Sequence, residues 1–275
     1  MSEHYMLLKQ LSAVTLVAVI TFLCFPVNAN LLISPTRVVI DSNEKTAQIA
    51  LVNDSDEPQT YRLEFENKKV TESGEFIVLD QSAVAGFNRA DTMIRISPRQ
   101  VSLQPREKQV VKLSVRRPRD LPLAEYRSYL RFVAIPPPQM LANPDQGAKT
   151  QFRLLMSFSI PVVVKNRAGN GEVSVIGLSL DRLETDPSFV VQLERKGDSS
   201  VFGNIRLYTV PDINSSKPVA LLNEAAFYTD TTKRNIKLVR MAGTKLSPNG
   251  RYKVVIEGLG EKKGTVIATK EISIK

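Results

Sequence analysis

The sequence contains one cysteine, one histidine and no tryptophan. Cys24 and His4 both fall within the first thirty residues, which have the layout of an export signal. A mature chain starting at Asn30 would keep 275 − 29 = 246 residues and neither side chain. That excludes Ser-His-Asp and Cys-His nucleophiles, His- or Cys-ligated metals, disulfides and thiol redox chemistry. No long stretch shows the 3.6-residue period of an amphipathic helix, and no block of five or more like charges occurs.

The longest N-terminal apolar run, residues 11–24 (LSAVTLVAVITFLC), is 14 residues. It falls short of the roughly 18 needed to span a bilayer as a helix. Pro26 and then Val27-Asn28-Ala29 put small side chains where a signal peptidase reads, so residues 1–29 are expected to be a cleavable signal peptide. Leu23 stands before Cys24, where a lipid anchor needs a small residue. The reading is a soluble exported protein without membrane insertion, long enough for one large or two ordinary cores. Removing Glu3 and Lys9 leaves 36 − 27 = +9. The basic residues are spread along the chain at outward-facing positions, so the charge reads as solvated faces and no nucleic acid is expected.

Beyond residue 30 the apolar period is two. Tyr61-Arg62-Leu63-Glu64-Phe65-Glu66 and Val111-Lys112-Leu113-Ser114-Val115-Arg116 alternate cleanly, as half-buried antiparallel strands do. Turn signals such as Asn53-Asp54-Ser55-Asp56 and Glu72-Ser73-Gly74 punctuate them. Strands are predicted at 31–40, 46–53, 59–66, 76–79, 92–97, 109–116, 125–135 and 151–164. A polar, glycine-rich segment at 165–171 marks a boundary. Further strands are predicted at 173–180, 188–195, 204–210, 218–223, 235–240, 251–257 and 264–274, while 223–229 fits a helix or a strand. The fold class is all-β: two immunoglobulin-like β-sandwich domains, 30–166 and 167–275.

One segment departs from the ordinary pattern. In 151–165, QFRLLMSFSIPVVVK, every even position from Phe152 to Val164 is apolar. A strand of that length would extend past about 40 Å, more than one sandwich usually buries. Pro161 cannot donate to a ladder, which places it at an edge or a bulge. Either the whole face packs on its own core, or Phe152, Leu154 and Met156 are presented to another chain by strand addition. Burying three such side chains would contribute on the order of 5–9 kcal/mol before ordering costs.

Several stretches together resemble one family. Arg95-Ile96-Ser97-Pro98-Arg99-Gln100-Val101-Ser102-Leu103-Gln104-Pro105 leads into Lys108-Gln109-Val110-Val111-Lys112-Leu113. Arg117-Pro118, Asp120-Leu121-Pro122, Glu125-Tyr126-Arg127-Ser128-Tyr129-Leu130 and Ile135-Pro136-Pro137 follow. With Pro35-Thr36-Arg37-Val38-Val39 near the start, and Arg195-Lys196-Gly197 and Ser200-Val201-Phe202-Gly203-Asn204 later, the chain resembles the periplasmic chaperones of pilus and fimbria assembly. The likeness is to a non-classical branch, with Glu-Tyr-Arg-Ser where other members carry a DRES-like stretch.

The resemblance implies a boomerang of two domains in the periplasm that caps pilus subunits by donor-strand complementation and delivers them to an outer-membrane usher. It implies no cofactor, no metal and no enzymatic activity. The donated strand falls on 151–162, with Phe152, Leu154 and Met156 filling the subunit's groove and Phe158 extending the set. The family's anchor for the subunit's terminal carboxylate falls on Arg37. Its partner lysine falls on Pro161, so either Arg37 acts alone or another base substitutes, with Arg127 and Arg131 as candidates; Lys165 lies about 13 Å further along the strand. The free chain has the option of protecting its edge strand by self-association. Two other readings compete: an exported adhesin or surface component with 151–164 packed internally, and a glycosidase using carboxylates alone, which nothing in the sequence asks for.

Overall fold

The computed structural model describes residues 31–136, 155–167, 169–181, 188–210, 217–244 and 250–274. The expected signal peptide, the 137–150 loop, Phe152 and Leu154 lie outside these residues. The described chain is all-β and forms two domains.

In the first domain, one sheet runs in the order β1 (Leu31–Ser34), β3 (Thr46–Asn53), β9 (Lys108–Val115), β7 (Ile94–Ser97). The facing sheet runs β2 (Val38–Ile40), β11 (Phe158–Lys165), β10 (Glu125–Ile135), β4 (Gln59–Glu66), β8 (Gln100–Leu103). The alternation seen in the sequence explains the pairing. Ile49 and Leu51 of β3, Val111 and Leu113 of β9, Tyr61 and Leu63 of β4, and Leu130 and Phe132 of β10 all point into one shared core. Each such side chain contributes about 1.5–3 kcal/mol by leaving water. A separate hairpin, β5 (Lys68–Val70) with β6 (Phe76–Val78), lies over the outer face of β10, where Phe76 meets Tyr129 edge-on at 5.7 Å.

The single strand expected at 31–40 is two. Pro35 cannot donate to the ladder, and β1 pairs antiparallel with β3 before the chain crosses over and β2 pairs parallel with β11. Arg37 sits in the crossing, immediately before β2.

The second domain orders its strands β12 (Gly171–Asp181), β13 (Ser188–Gly197), β16 (Lys233–Arg240), β15 (Ala220–Phe227), β14 (Val201–Val210), β17 (Arg251–Gly258), β18 (Val266–Ser273). Its end strands β12 and β18 lie against each other, closing the layers around a second core that includes Phe189, Phe227 and Tyr252. The stretch 223–229, compatible with helix or strand in sequence, supplies the second half of β15. Neither β5 nor β8 is among the expected strands: β5 is three residues without apolar alternation, and β8, although Gln100-Val101-Ser102-Leu103 alternates, is only four residues long.

Candidate functional site

β11 has unequal flanks. β10 pairs with it along its whole length, from Phe132↔Phe158 to Glu125↔Lys165. On the other side β2 joins only at Val162, Val163 and Val164. Among the described residues, Phe158–Pro161 therefore have a neighbour on one side alone, and Pro161 sits where its missing N–H is tolerated. Ile160, Val162 and Val164 fill the first domain's own core, and Phe158 packs half-buried against it. Met156, before the ladder begins, is 42% exposed.

The free edge runs toward a cleft between the domains. This cleft, about 470 Å³, is lined from the first domain by Thr36, Arg37, Ser159 and Pro161, and from the second by Tyr228 and Arg234, among others. Arg37 lies over the Phe202 ring at 4.2 Å, and its Nη2 donates to the Glu224 carbonyl at 2.9 Å. That carbonyl is aimed by a bulge: the β14–β15 register shifts between Gly203 and Ile205, and Glu224 takes a left-handed conformation with φ 56°. The Arg37 Nε is buried and has no hydrogen-bond partner among the described residues.

The other two candidate bases are engaged elsewhere. Arg127 donates through Nη2 to Asp230 Oδ2 at 2.8 Å and through Nη1 to Oδ1 at 3.2 Å, and stacks 3.9 Å over the Tyr228 ring. The two side chains are 3% and 5% exposed, so the pair is buried at the domain interface. Burial disfavours the Arg127 cation more than any single neighbour favours it, but the Asp230 hydrogen bond together with the charge interactions of Tyr129, Asp230 and Tyr228 holds the guanidinium above its ordinary value. Arg131 pairs loosely with Glu64 on the neighbouring strand, at 3.6 Å, and does not line the cleft.

The Glu-Tyr-Arg-Ser stretch works as a two-sided lock. The outward residues reach the second domain: Arg127 takes Asp230, and Glu125 accepts from both the backbone N–H and the hydroxyl of Ser200. The inward residues fix the first domain. Tyr126 donates its hydroxyl to Pro122 O at 3.0 Å, while the buried Ser128 hydroxyl accepts from the N–H groups of Ala90 and Asp91 and donates to Asn67. Arg195 shapes the receiving loop by donating to the carbonyls of Gly197 and Ser199. Gly197 has φ +92°, and a Cβ there would come within 1.9 Å of the Asn170 carbonyl, so only glycine fits. Val70 and Val163 meet Tyr228 in a small apolar cluster that seals the interface.

Lys165 ends β11 and also bridges the domains, 2.5 Å from Glu261 and 3.4 Å from Asp41. The hydrogen bond from Lys165 lowers the Glu261 carboxyl below its ordinary value of 4.5. A depressed carboxyl contributes stability above its unfolded pKa and loses it as pH falls through the folded one. Glu261→Gln is therefore expected to lower stability modestly near neutrality and to flatten the acid limb of a stability-versus-pH curve below about pH 4.5, where variant and wild type converge. An unaltered acid limb would remove this pair from the account.

No protein-family model matches the chain, and no curated protein matches it. Solved structures of fimbrial chaperones align with most of the chain at low identity. A chaperone–tip adhesin complex of CFA/I fimbriae aligns at 13% identity over 90% of this chain and 99% of that one, with a TM-score of 0.46. The chaperone–tip subunit pre-assembly complex of the archaic chaperone-usher Csu pili of Acinetobacter baumannii aligns at 15% identity, 90% and 98% coverage and a TM-score of 0.46. The SafA pilin complex with the SafB chaperone of Salmonella enterica aligns at 12% identity, 91% and 99% coverage and a TM-score of 0.45. At such sequence distance, function rests on this chain's own residues.

Sequence reasoning did not find Asp230, Glu224 or Arg234. In Lys233-Arg234-Asn235-Ile236-Lys237 the alternation reads as an ordinary solvated face, and no local signal shows that part of this face is covered by another domain.

Proposed function

We propose that this chain is a non-enzymatic periplasmic chaperone that binds and caps pilus or fimbrial subunits by strand donation and passes them to an outer-membrane usher. The observation that carries the reading is the free edge of β11 running into a cleft where Arg37 stands at its end. β2 occupies the lane beside β11 only from Val38 onward, opposite Val162. A client strand added in that lane, before Val162, would be collinear with β2 and stop at Arg37.

Polarity follows from the same geometry. If the client strand runs parallel to β11, its terminal carboxylate points at Arg37; if antiparallel, its N-terminal end does. A guanidinium fork suits a carboxylate and repels an ammonium, so the cleft favours the parallel arrangement. Backbone bonds along the lane supply affinity, and the even side chains Phe152, Leu154 and Met156 supply specificity. Extended as a strand, Phe152 to Pro161 would span about 30 Å, enough for a full strand. Phe158, Ile160, Val162 and Val164 pack toward the first domain's own core, so strand presentation is proposed only for the half of the segment before them.

Purification of the tagged mature chain from the periplasm of its own host, with mass spectrometry of what accompanies it, tests this. A small exported protein in one-to-one ratio, lost on Leu154→Glu while the circular dichroism spectrum stays native, is the expected result. A chain that comes down alone, or that sits on the outer cell surface, would favour the adhesin reading.

A further inference from the structure

We propose that Arg234, on β16 of the second domain, is the second cation of the carboxylate seat, so that the client's terminus is gripped between the two domains. The inference rests on the strand-donation reading and names the residue that stands in where Pro161 leaves no lysine.

The cleft holds two arginines in the same unusual state. Arg37 from the first domain and Arg234 from the second both line it, and each keeps a buried Nε without a hydrogen-bond partner among the described residues. Arg234 has little else to hold: its Nη1 lies 3.5 Å from the Ala226 carbonyl, at the limit of a hydrogen bond. The acid nearest in kind is already taken. Asp230 accepts from both Nη groups of Arg127 and from the Val70 N–H. Among the described residues no carboxylate stands within ion-pair distance of Arg234.

The charge around the cleft leans the same way. Its lining carries Arg37, Arg234 and Lys237, the last paired with Asp181 at 3.9 Å, against one carboxylate, Glu224, whose Oε2 accepts from Thr36. Burial pulls the Arg234 guanidinium below its ordinary value, with nearby Asp230 only partly restoring it. A half-buried cation short of a partner is costly to keep, and a guest carboxylate relieves that cost. Ser159 and Pro161 at the end of the free edge line the same cleft, which brings an added strand's terminus to the two guanidinium groups.

The test compares the tagged wild type with Arg37→Ala, Arg234→Ala and the double variant, all purified from the host periplasm. Client recovered per chaperone and the thermal midpoint of each chaperone are the readouts. Arg234→Ala is expected to cut client recovery by about tenfold or more, as Arg37→Ala does, with an unchanged midpoint. Because both would hold one carboxylate, the double variant should lose little beyond either single one. Full recovery with Arg234→Ala while Arg37→Ala fails would overturn the inference and leave strand donation standing. Losses that simply multiply would overturn it too, assigning Arg234 to the cleft's structure. A wild type that recovers no client would overturn the strand-donation reading itself.

Discussion

Arg127→Ala is expected to destabilise the folded chain by about 3–5 kcal/mol, because it strands Asp230 as an unpaired buried charge. Both side chains are nearly inaccessible, and among the described residues Asp230 would keep only the Val70 N–H as a donor. Asp230→Ala should cost a similar amount by stranding Arg127 instead. Replacing both, as Arg127→Met with Asp230→Leu, should recover most of the loss, since two apolar side chains need no counter-charge. Chemical denaturation of the three variants checks this, with the midpoint and slope read separately. A loss below about 1 kcal/mol for either single variant would mean the pair is solvated and does not lock the domains.

Arg37→Ala should behave in the opposite way, with little effect on folding and a large one on binding. Its structural contacts are a donation to the Glu224 carbonyl, an interaction with the Tyr228 hydroxyl and a stack over Phe202. Losing them costs on the order of 1 kcal/mol each. Its removal takes away the fork at the end of the client's lane, and recovery of client should fall by more than about tenfold. Arg37→Lys keeps the charge but not the paired geometry, so it should restore only part of the recovery. Wild-type recovery with Arg37→Ala would count against any carboxylate anchor in the cleft. A collapse of the chaperone itself would show that Arg37 mainly holds the domains together.

How much of this could be read from the sequence depended on how far apart the interacting residues lie along the chain. Period-two alternation placed Tyr61, Leu63, Val111 and Leu113 in a core, because the inward face of a strand is written in its own residues. The unusual length of 151–164 and the proline within it foreshadowed the asymmetric flanks of β11. The alternation could not show where one sheet hands the strand to another, so 31–40 read as continuous although Pro35 divides it. Nor could it show that an outward face is covered. Glu125 and Arg127 look like solvent-facing charges in sequence, and become buried only because Ser200 and Asp230, from a second domain, come to meet them. Arg127 read as a spare base for the same reason. Its true partner is 103 residues away.

The apolar cluster of Val70, Val163 and Tyr228 teaches a related point. Val163 is apolar although it lies on the odd, outward face of β11, and that irregularity was a local hint that this face is covered.

In strand donation the stretch just before β11 becomes a strand in a client's sheet. Hydrogen–deuterium exchange on the purified complex and on the free chaperone measures this directly, because ladder amides exchange slowly and unpaired ones quickly. Amides within 151–157 should gain strong protection in the complex, with those of β9 and β3 unchanged. Exchange at 151–157 that is equally fast in both states, while the client stays bound, would contradict strand donation.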